Sequence, residues 1–545
     1  MTGLSRLAGR VPNLAVGICA VLFGLLALLC FVYPVVRFLG LPLMPGWGPL
    51  PPLAVSAQGV SSTAVWNTVR LSAEAGLLVV PPGILIGFLL ERRRWRGAWL
   101  LSATLWGIFL IPSYLLTTGW QMLMAMPGLA DSLFSRLFYG ETGIVFLLTV
   151  KGLAFAAMTA RTGWHAAGTD LDAASRVHVR AAWRRGWLTA RLLLPVVGSM
   201  IMVQVVAASQ DFGIAATLGA QAHLPLVVYA IYQNLATVPV DFTQAARLSA
   251  LLVFLALVAL AVQAVLARHQ AMTVGGRQHR AAAVPCGPVL TAVAYLLTGG
   301  VLLAGVGAPL LALAMEGLGG GASDVAAVDA EGWRSIGLSL RYAFVSAVGA
   351  VVLAAVILGV RMRSGMGGRV LSRMLLWLVS ANMAVPGVIL GAAYVIAFNG
   401  RVLALYGTPA LLILAYTASH LPIALRFLDA PFASLHRGLG EAARVHGVPL
   451  SGRVEGIYLP LLIRPLGWAW AMVFITLFFE LPLSEILYPA GAQPLAVRLL
   501  SLEVALHYGA EARLALAGMA VCLALAGTVI VLVPRLAGWH AGGEK

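Results

Sequence analysis

Ionisable side chains lie inside long apolar segments of this chain, and most of them occur in pairs at a nearly constant separation. A charged group at the centre of a bilayer costs at least about 2.5–3.5 kcal/mol, so such residues are candidates for a pathway that carries a polar solute. A polar contact between helices, or a side chain that reaches the membrane surface, would explain each residue singly. Pairing across the chain favours the pathway. The pairs are Lys151 with His420 and Asp211 with Glu480, each 269 positions apart, and Arg70 with Arg341, 271 apart. Glu74 has no acidic counterpart, and we predict an ion pair with Arg70 one turn away.

Patterns that indicate enzyme chemistry are absent from the sequence. The chain has two lysines, Lys151 and Lys545, and neither follows a glycine in a phosphate-binding GxxxxGK[ST] loop. The histidines show no HExxH or other metal-ligand spacing, and no serine or cysteine lies in a nucleophile elbow. We therefore expect no catalytic residue, no metal site and no bound cofactor.

A charged insert, EAARVHGVPLSGRVEGIYLP (441–460), separates two apolar segments. Its first residues favour a helix, its glycine can turn the chain sharply, and its last residues lead back into an apolar helix. The pattern predicts two short helices in an L at the membrane surface. The residues that define this pattern are Glu441, Ala442, Ala443, Gly447, Ile457 and Pro460.

A weaker copy of the insert, DAASRVHVRAAWRRGW, begins 269 positions earlier. A histidine stands where the turn glycine is expected, Arg191 replaces the proline, and Pro195 follows one helical turn later. A non-glycine residue in a left-handed turn costs on the order of 1 kcal/mol, so we expect altered geometry here. Both inserts could be plain solvated basic loops, but their recurrence at a matched offset argues against that. The corresponding residues are Asp172, Ala173, Ala174 and His178.

The composition places these residues in a membrane. The chain is 60% apolar and 10% charged, with repeated uncharged runs of about 20 residues, which is typical of a polytopic helical membrane protein. Its apolar runs do not alternate as barrel strands do. The net charge of +16 comes largely from arginines in short loops, which is an orientation signal and not an indication of nucleic-acid binding.

Twelve spans can be written on the sequence, six in each half. The arginine-rich loops fall on one side, which predicts that this side and both termini are cytoplasmic. An even number of spans per half gives a parallel repeat, with both inserts in the cytoplasm. The predicted spans are 14–39, 65–90, 98–118, 142–160, 188–214, 244–267, 286–315, 335–360, 370–398, 409–428, 461–487 and 512–534.

The repeat also predicts the domain organisation. Residues 1–270 form a first six-span unit with its insert at 165–195. Residues 271–285 are a polar, basic cytoplasmic linker. Residues 286–545 form a second six-span unit with its insert at 430–460.

The insert at 441–460 resembles the coupling loop of the permease subunits of ATP-binding-cassette (ABC) importers, in which EAA is followed by three residues, Gly, nine residues and I-x-L-P. The resemblance implies an all-α inner-membrane permease of about 12 transmembrane helices in two parallel repeats. It further implies two copies of a cytoplasmic ABC ATPase, which would use the ATP, and a periplasmic or lipid-anchored substrate-binding protein as partners. In that family, the loop's short helix sits in a cleft of the ATPase.

Fusion of two units in one chain resembles the permeases of ferric-iron importers, and less specifically those for thiamine, polyamines and phosphonates. The phrases SQDFGIAATLG (209–219) and FFELPLSEILYPAGAQPLAVRL (478–499) carry the ferric-iron resemblance. A proton-coupled secondary transporter, which also commonly has six plus six spans, is the competing class. A membrane-embedded enzyme or an assembly scaffold is a third.

Overall fold

The computed structural model describes residues 30, 32–44, 62–166, 177–179, 181–273, 283–319, 328–363, 375–376, 379, 385–400 and 404–541. Within these ranges the chain is overwhelmingly helical. A two-residue strand, β1 (Arg93–Arg94), pairs in parallel with β2 (Val284–Pro285). An all-α fold is therefore confirmed.

Two compact units divide the chain. The first unit comprises the described residues of Leu53–Val325 and Leu506–Arg513. The second unit comprises those of Met1–Pro52, Ala326–Ala505 and Leu514–Lys545. Each unit therefore takes most of its residues from one half of the sequence and a smaller part from the other half.

Helices are numbered in chain order. Those of the first sequence half are α1 (Tyr33–Leu39), α2 (Ser62–Leu78), α3 (Val80–Arg92), α4 (Ala98–Leu110), α5 (Ser113–Met124), α6 (Leu133–Phe138), α7 (Glu141–Ala166), α8 (Ala182–Ser209), α9 (Phe212–Ile214), α10 (Val227–Ala236) and α11 (Phe242–Thr273). Those of the second half are α12 (Pro288–Leu302), α13 (Ala308–Leu318), α14 (Ala330–Arg363), α15 (Gly387–Ala397), α16 (Pro409–Ser434), α17 (Arg437–Val445), α18 (Leu450–Arg453), α19 (Leu459–Phe478), α20 (Pro482–Leu487), α21 (Leu495–Val504) and α22 (Tyr508–Ala541). Short π-helical turns occupy Ala215–Gly219, Leu303–Gly307 and Val454–Tyr458.

Among the described residues, nine helical stretches are long and apolar enough to cross a membrane, and α4 with α5 would make a tenth. The protein is therefore a multi-pass membrane protein. The nine stretches are Ser62–Arg92, Glu141–His165, Trp187–Ser209, Phe242–Leu266, Pro288–Leu318, Ala330–Arg361, Pro409–Ser434, Leu450–Phe478 and Tyr508–Leu532.

Three predicted spans differ from the structure. The span predicted at 98–118 is wrong as one straight helix, because the chain bends by 103° between α4 and α5. Ile111 and Pro112 form the break: Ile111 is extended, as a residue before proline prefers, and Pro112 precedes a new helix. The predictions 188–214 and 461–487 extend too far, since those helices end at Ser209 and Phe478. Most of the span predicted at 14–39 lies outside the described residues, and so does most of the first part, 370–384, of the span predicted at 370–398.

Near the start of the described residues of each sequence half, a helix packs in the unit built mainly from the other half. α1 contacts α15 in the second unit, and α13 contacts α5 in the first. Each contact has a hydrogen bond from an aromatic side chain to a backbone carbonyl: Trp120 Nε1 donates to Ala304 O at 2.9 Å, and Tyr394 Oη donates to Cys30 O at 2.7 Å. The two donor residues are 274 positions apart in the sequence, and the two acceptor residues are also 274 positions apart. Both acceptors are π-helical residues.

A second matched contact supports the internal repeat. In the first unit, the backbone N–H of Val227 donates to Thr68 Oγ1 at 2.9 Å. In the second unit, the backbone N–H of Leu495 donates to Ser339 Oγ at 2.8 Å. Both contacts are buried, and each satisfies an N–H group near the start of a helix that follows a proline-containing loop. The same local solution thus appears in both units.

Candidate functional site

The turn in the second insert forms as predicted at Gly447, which has a φ of +74°. The N–H of Gly447 donates to Arg444 O at 3.0 Å, and the N–H of Val448 donates to Ala443 O at 2.9 Å. These two bonds form a Schellman motif, which ends α17 and needs a residue that tolerates positive φ. Glycine is therefore required by the backbone at this position.

The short helix α17 presents a free face. Ala443 is buried and Gly440 lies against Tyr458, so one side of the helix is covered by the protein. On the other side, Val445 is 86% exposed, and Leu439, one turn before Ala443, is 42% exposed. Glu441, Ala442, Arg444 and His446 are exposed as well, so the uncovered part of the helix is both polar and apolar. This composition suits contact with another protein at the membrane surface.

The second arm of the insert is part of a span and not a separate short helix. α18 begins at Leu450 and runs through the π-helical turn into α19, so that Leu450–Phe478 is one membrane-length stretch. Ile457 lies in that turn and Pro460 in the first turn of α19, where a missing N–H costs no hydrogen bond. The prediction of two short helices is therefore wrong for the second arm. Movement of α17 has a direct covalent path into a span.

The first insert is described only in part. Asp172, Ala173 and Ala174 lie outside the described residues. His178 is helical and exposed, and the described non-glycine residues with positive φ are His223 and Leu506. His178 therefore does not share the left-handed conformation of Gly447, and the altered geometry that we expect of the whole first insert stays a prediction. Arg191 lies in α8, and its guanidinium lies 5.4 Å from the centre of the Trp187 ring.

Lys151 stabilises the break in the bent helix pair. Its Nζ donates to Ile108 O at 3.0 Å and to Ile111 O at 2.6 Å. These carbonyls lie at the C-terminal end of α4, where helical partners are lacking and a cation is favourable. The opposite charge of Asp211 also acts on Lys151. Lys151 thus has a structural role in the first unit, and its role in a pathway stays a prediction.

Asp211 and Glu480 have the same structural role in the two units. Asp211 Oδ1 accepts the backbone N–H of Ile214 at 2.9 Å, which caps α9. Glu480 Oε1 accepts the N–H of Leu483 at 2.9 Å, and its Oε2 accepts the N–H of Ser484 at 3.0 Å, which caps α20. The capped N–H groups of Ile214 and Leu483 are also 269 positions apart. A carboxylate at a helix N-terminus is favoured by both hydrogen bonding and the helix dipole.

His420 and Glu480 line one cavity of about 240 Å³ within the second unit. Ser419 Oγ lies 2.7 Å from His420 Nδ1 and donates to Tyr416 O at 3.1 Å. By comparison, Asp211 in the first unit lines a cavity of about 10 Å³, close to the volume that a single water occupies. The other residues around the larger cavity are Val385, Gly387, Leu390, Ile423, Pro482 and Leu483.

Arg70 and Arg341, which the sequence pairs across the two halves, have different surroundings in the two units. Arg70 forms ion pairs with Glu74, at 3.3 Å, and with Glu141. The predicted Arg70–Glu74 pair is thus confirmed. Arg341 is exposed on α14. A pathway role for either arginine stays a prediction.

The sequence analysis missed a charge cluster at the base of the first insert. Glu91, at the end of α3, has a buried carboxylate that pairs with Arg161 at 3.0 Å and His165 at 2.9 Å, both on α7. At nearly the same place in the second unit, Arg361 on α14 pairs with Asp429 on α16. The signs are exchanged between the units, so a search for identical residues at a fixed offset could not find the pair. A search for opposite charges at matched positions would find it.

Ser419 was also missed. A mid-span serine beside His420 is a weak signal, because serine often bonds to the carbonyl of its own helix. Within the described ranges, no three His, Cys, Asp or Glu side chains come together in an arrangement that could hold a metal ion.

Comparison with known proteins gives one informative match. The chain is 25% identical over 514 residues, which is 87% of each chain, to a protein of Sinorhizobium fredii (strain NBRC 101917 / NGR234) described as "Probable ABC transporter permease protein y4fN". No family model matches the chain, and no solved structure matches it. The similarity covers both halves of the chain, and it supports an assignment to the ABC transporter permeases.

Proposed function

We propose that this chain is the membrane permease of an ABC importer. The observation that carries the proposal is α17, an exposed short helix fixed by a glycine Schellman turn and joined directly to a span. The name of the Sinorhizobium relative supports the same class. ATP would be hydrolysed by a separate subunit, since the sequence offers no phosphate-binding loop.

The proposed mechanism is alternating access. Two copies of a cytoplasmic ATPase would receive the short helices of the two inserts, among them α17. Closure of the ATPase dimer would then displace Leu450–Phe478, because α18 continues into this stretch without a break. A loaded binding protein outside the membrane would deliver the solute. The corresponding location is the bacterial inner membrane, with both termini in the cytoplasm.

Ferric iron is the substrate that we propose first. The segments 209–219 and 478–499 support it, and they contain the two helix-capping acids Asp211 and Glu480. Thiamine, a polyamine and a phosphonate are the alternatives with the same machinery. Uptake of the four labelled solutes should be measured in a strain deleted for this chain and in the same strain with the chain restored. If deletion of the chain abolishes ferric-iron uptake and restoration recovers it, ferric iron is supported as the substrate. If another solute responds instead, that solute replaces ferric iron as the proposed substrate.

The role of α17 can be tested at its turn. Gly447→Val should abolish uptake while ATP hydrolysis by the complex persists, because a β-branched residue is strongly disfavoured at a φ of +74°. Gly447→Asn is the matched control, since asparagine tolerates this conformation, and it should retain most uptake. Equal amounts of each variant in the membrane must be verified. Normal uptake by Gly447→Val would contradict the coupling assignment.

A secondary transporter makes the opposite prediction for energy supply. Uptake that survives loss of the ATPase partners but collapses with the proton gradient would favour that class. For an ABC importer, depletion of ATP should stop uptake even when the proton gradient is maintained. An enzyme or scaffold would show no uptake phenotype.

A further inference from the structure

We infer that the cavity between α15, α16 and α20 binds a cationic solute, and that the described residues around Lys151 and Asp211 in the first unit do not form an equivalent site. The inference rests on the proposed function, since it names the class of solute that would pass. The cavity has a volume of about 240 Å³, far above the roughly 10–15 Å³ that one water needs. Its polar side chains are Ser419, His420 and Glu480, and its other lining residues are apolar or glycine.

The imidazole of His420 offers a lone pair to the cavity. The hydroxyl of Ser419 donates to Tyr416 O, so its proton is not directed at the imidazole. We therefore assign the Nδ1–H of His420 as the donor to Ser419 Oγ across the 2.7 Å contact. In the neutral ring, Nε2 then carries no proton and accepts a hydrogen bond or binds a metal ion.

Glu480 retains acceptor capacity beyond its capping role. Its Oε2 accepts the N–H groups of Leu483 and Ser484 and the hydroxyl of Ser484, whereas its Oε1 accepts the N–H of Leu483 alone. A carboxylate oxygen has two lone pairs, so Oε1 can accept a further hydrogen bond from a ligand. The capping bonds also hold the carboxylate in one orientation, which lowers the entropic cost of binding.

Two acceptors and apolar walls select the charge of the ligand. A negative carboxylate and an imidazole lone pair attract a protonated amine or the open coordination face of a metal complex, and they repel a phosphonate. The apolar walls strengthen this attraction because they lower the local dielectric constant. Two such groups bind a ligand more weakly than a full set of ligating groups would. Weak binding suits a pathway site, because such a site must also release its ligand.

At the equivalent position, the described residues of the first unit lack the features that make this site. Lys151 takes the position of His420, and its ammonium group is directed at Ile108 O and Ile111 O. A cation would meet a positive charge there and find no free imidazole. Asp211, the counterpart of Glu480, borders a cavity of about 10 Å³. Among the described residues, the features that would bind a cation are therefore found at this position in the second repeat and not at the equivalent position in the first.

The test is direct ligand binding to the purified full chain in lipid nanodiscs. The probes are the organic cations putrescine and thiamine, ferric citrate as a metal complex with open coordination positions, and methylphosphonate as an anion without a metal. We expect putrescine, thiamine or both to bind, and methylphosphonate not to bind. Ferric citrate carries a net negative charge, so binding of it beyond that of citrate alone reports coordination to the iron. Glu480→Gln keeps a capping oxygen but removes the charge, and His420→Asn keeps a donor near Nδ1 but removes Nε2. Each should weaken binding at least about tenfold, which corresponds to 1.4 kcal/mol.

Asp211→Asn is the matched control, because it makes the same change at the equivalent cap outside this cavity. It should alter the dissociation constant less than about twofold, well under the 1.4 kcal/mol of a tenfold change. Equal losses for Asp211→Asn and Glu480→Gln, or tighter binding of methylphosphonate than of every cation, would overturn the inference. The identity of the probe that binds shows whether the site prefers a metal complex or an organic ammonium ion.

Uptake measured in parallel separates this inference from the proposed function. If the restored chain supports uptake but Glu480→Gln and His420→Asn bind as the parent does, the permease proposal stands and the cation site is wrong. If the parent binds a cation through Glu480 while no solute is taken up, the site stands and the importer proposal is wrong.

Discussion

The two units share their backbone contacts but differ in their charges. Thr68 and Ser339 accept the N–H groups of equivalent loops, and Trp120 and Tyr394 donate to equivalent carbonyls. Charged groups at equivalent places have diverged: the first unit has a lysine where the second has a histidine, and a Glu–Arg pair where the second has an Arg–Asp pair. Contacts that satisfy the backbone were kept because every such group needs a partner in a membrane. Side-chain charges were free to take separate roles.

The two units therefore share hydrogen-bond geometry more than residue identity. A threonine and a serine, or a tryptophan and a tyrosine, supply the same acceptor or donor. Lys151 and His420 do not, since one donates to two carbonyls and the other leaves an acceptor in a cavity. The second unit therefore has the cavity proposed to bind a ligand. In the first unit, the ammonium group of Lys151 stabilises the break between α4 and α5.

The largest effect should come from removing the ammonium group in the first unit. Lys151→Met leaves two carbonyls without their donor and Asp211 without its attracting charge. Loss of one partner of a buried charged group costs about 3–5 kcal/mol. We expect a large drop in the midpoint of thermal unfolding of the purified chain in detergent.

The matched change in the second unit, His420→Asn, should cost less than about 1.5 kcal/mol, because it removes at most one neutral hydrogen bond. Equal destabilisation by the two variants would mean that Lys151 has no special structural role, and the contrast between the units would fail.

An intermediate effect is expected at the exchanged ion pairs. The Glu91 side chain is 6% exposed and has two partners, whereas that of Asp429 is 55% exposed. Glu91→Gln should therefore cost about 2 kcal/mol, and Asp429→Asn less than about 1 kcal/mol. Unfolding by heat would report both.

Exchange of the charges of Glu91 and Arg161 tests whether the two side chains interact. The double variant Glu91→Arg with Arg161→Glu reproduces the polarity of the second unit. It should be more stable than either single variant, because each single variant places like charges together. If the double variant loses the sum of the two single losses, the pair does not interact as the structure shows.

Effects of equal size are expected at the matched loop contacts of the two units. Thr68→Val and Ser339→Ala each leave a buried backbone N–H without its acceptor, at a cost of about 1–2 kcal/mol. The two losses should agree to within about 0.5 kcal/mol, because each variant removes a hydroxyl acceptor from the same kind of buried N–H group. If only one of the two variants is destabilised, this contact is not equivalent in the two units.

Much of the fold could be predicted from the sequence because the membrane imposes a length and a polarity on each span. Ten of the predicted spans correspond to described helices or to the bent pair. The turn at Gly447 was predictable because glycine adopts a positive φ without steric cost, and this one stands in a charged insert between apolar segments. The bend at Pro112 was missed because the apolar run continues across it, and hydropathy averages do not register a local break.

The candidate site was less predictable. The sequence could mark Glu480 and His420 as unusual, but not that both line one cavity, since 60 residues separate them. It could not show that Asp211 and Glu480 cap helices, because a cap depends on where the preceding span ends. The pairing of Glu91 with Arg161 was hidden by the arginine run that follows Glu91.

The contact between α1 and α15 can form only late in the synthesis of the protein. α1 is made early, but its partner α15 follows about 350 residues later, which corresponds to roughly 20–70 s at ordinary rates of translation. During that interval Tyr394 does not yet exist, so the Cys30 carbonyl has no aromatic donor. The insertion machinery must therefore hold a nascent helix whose final neighbour is still being translated, and a ribosome that stalls before Gly387 leaves the second unit without that contact.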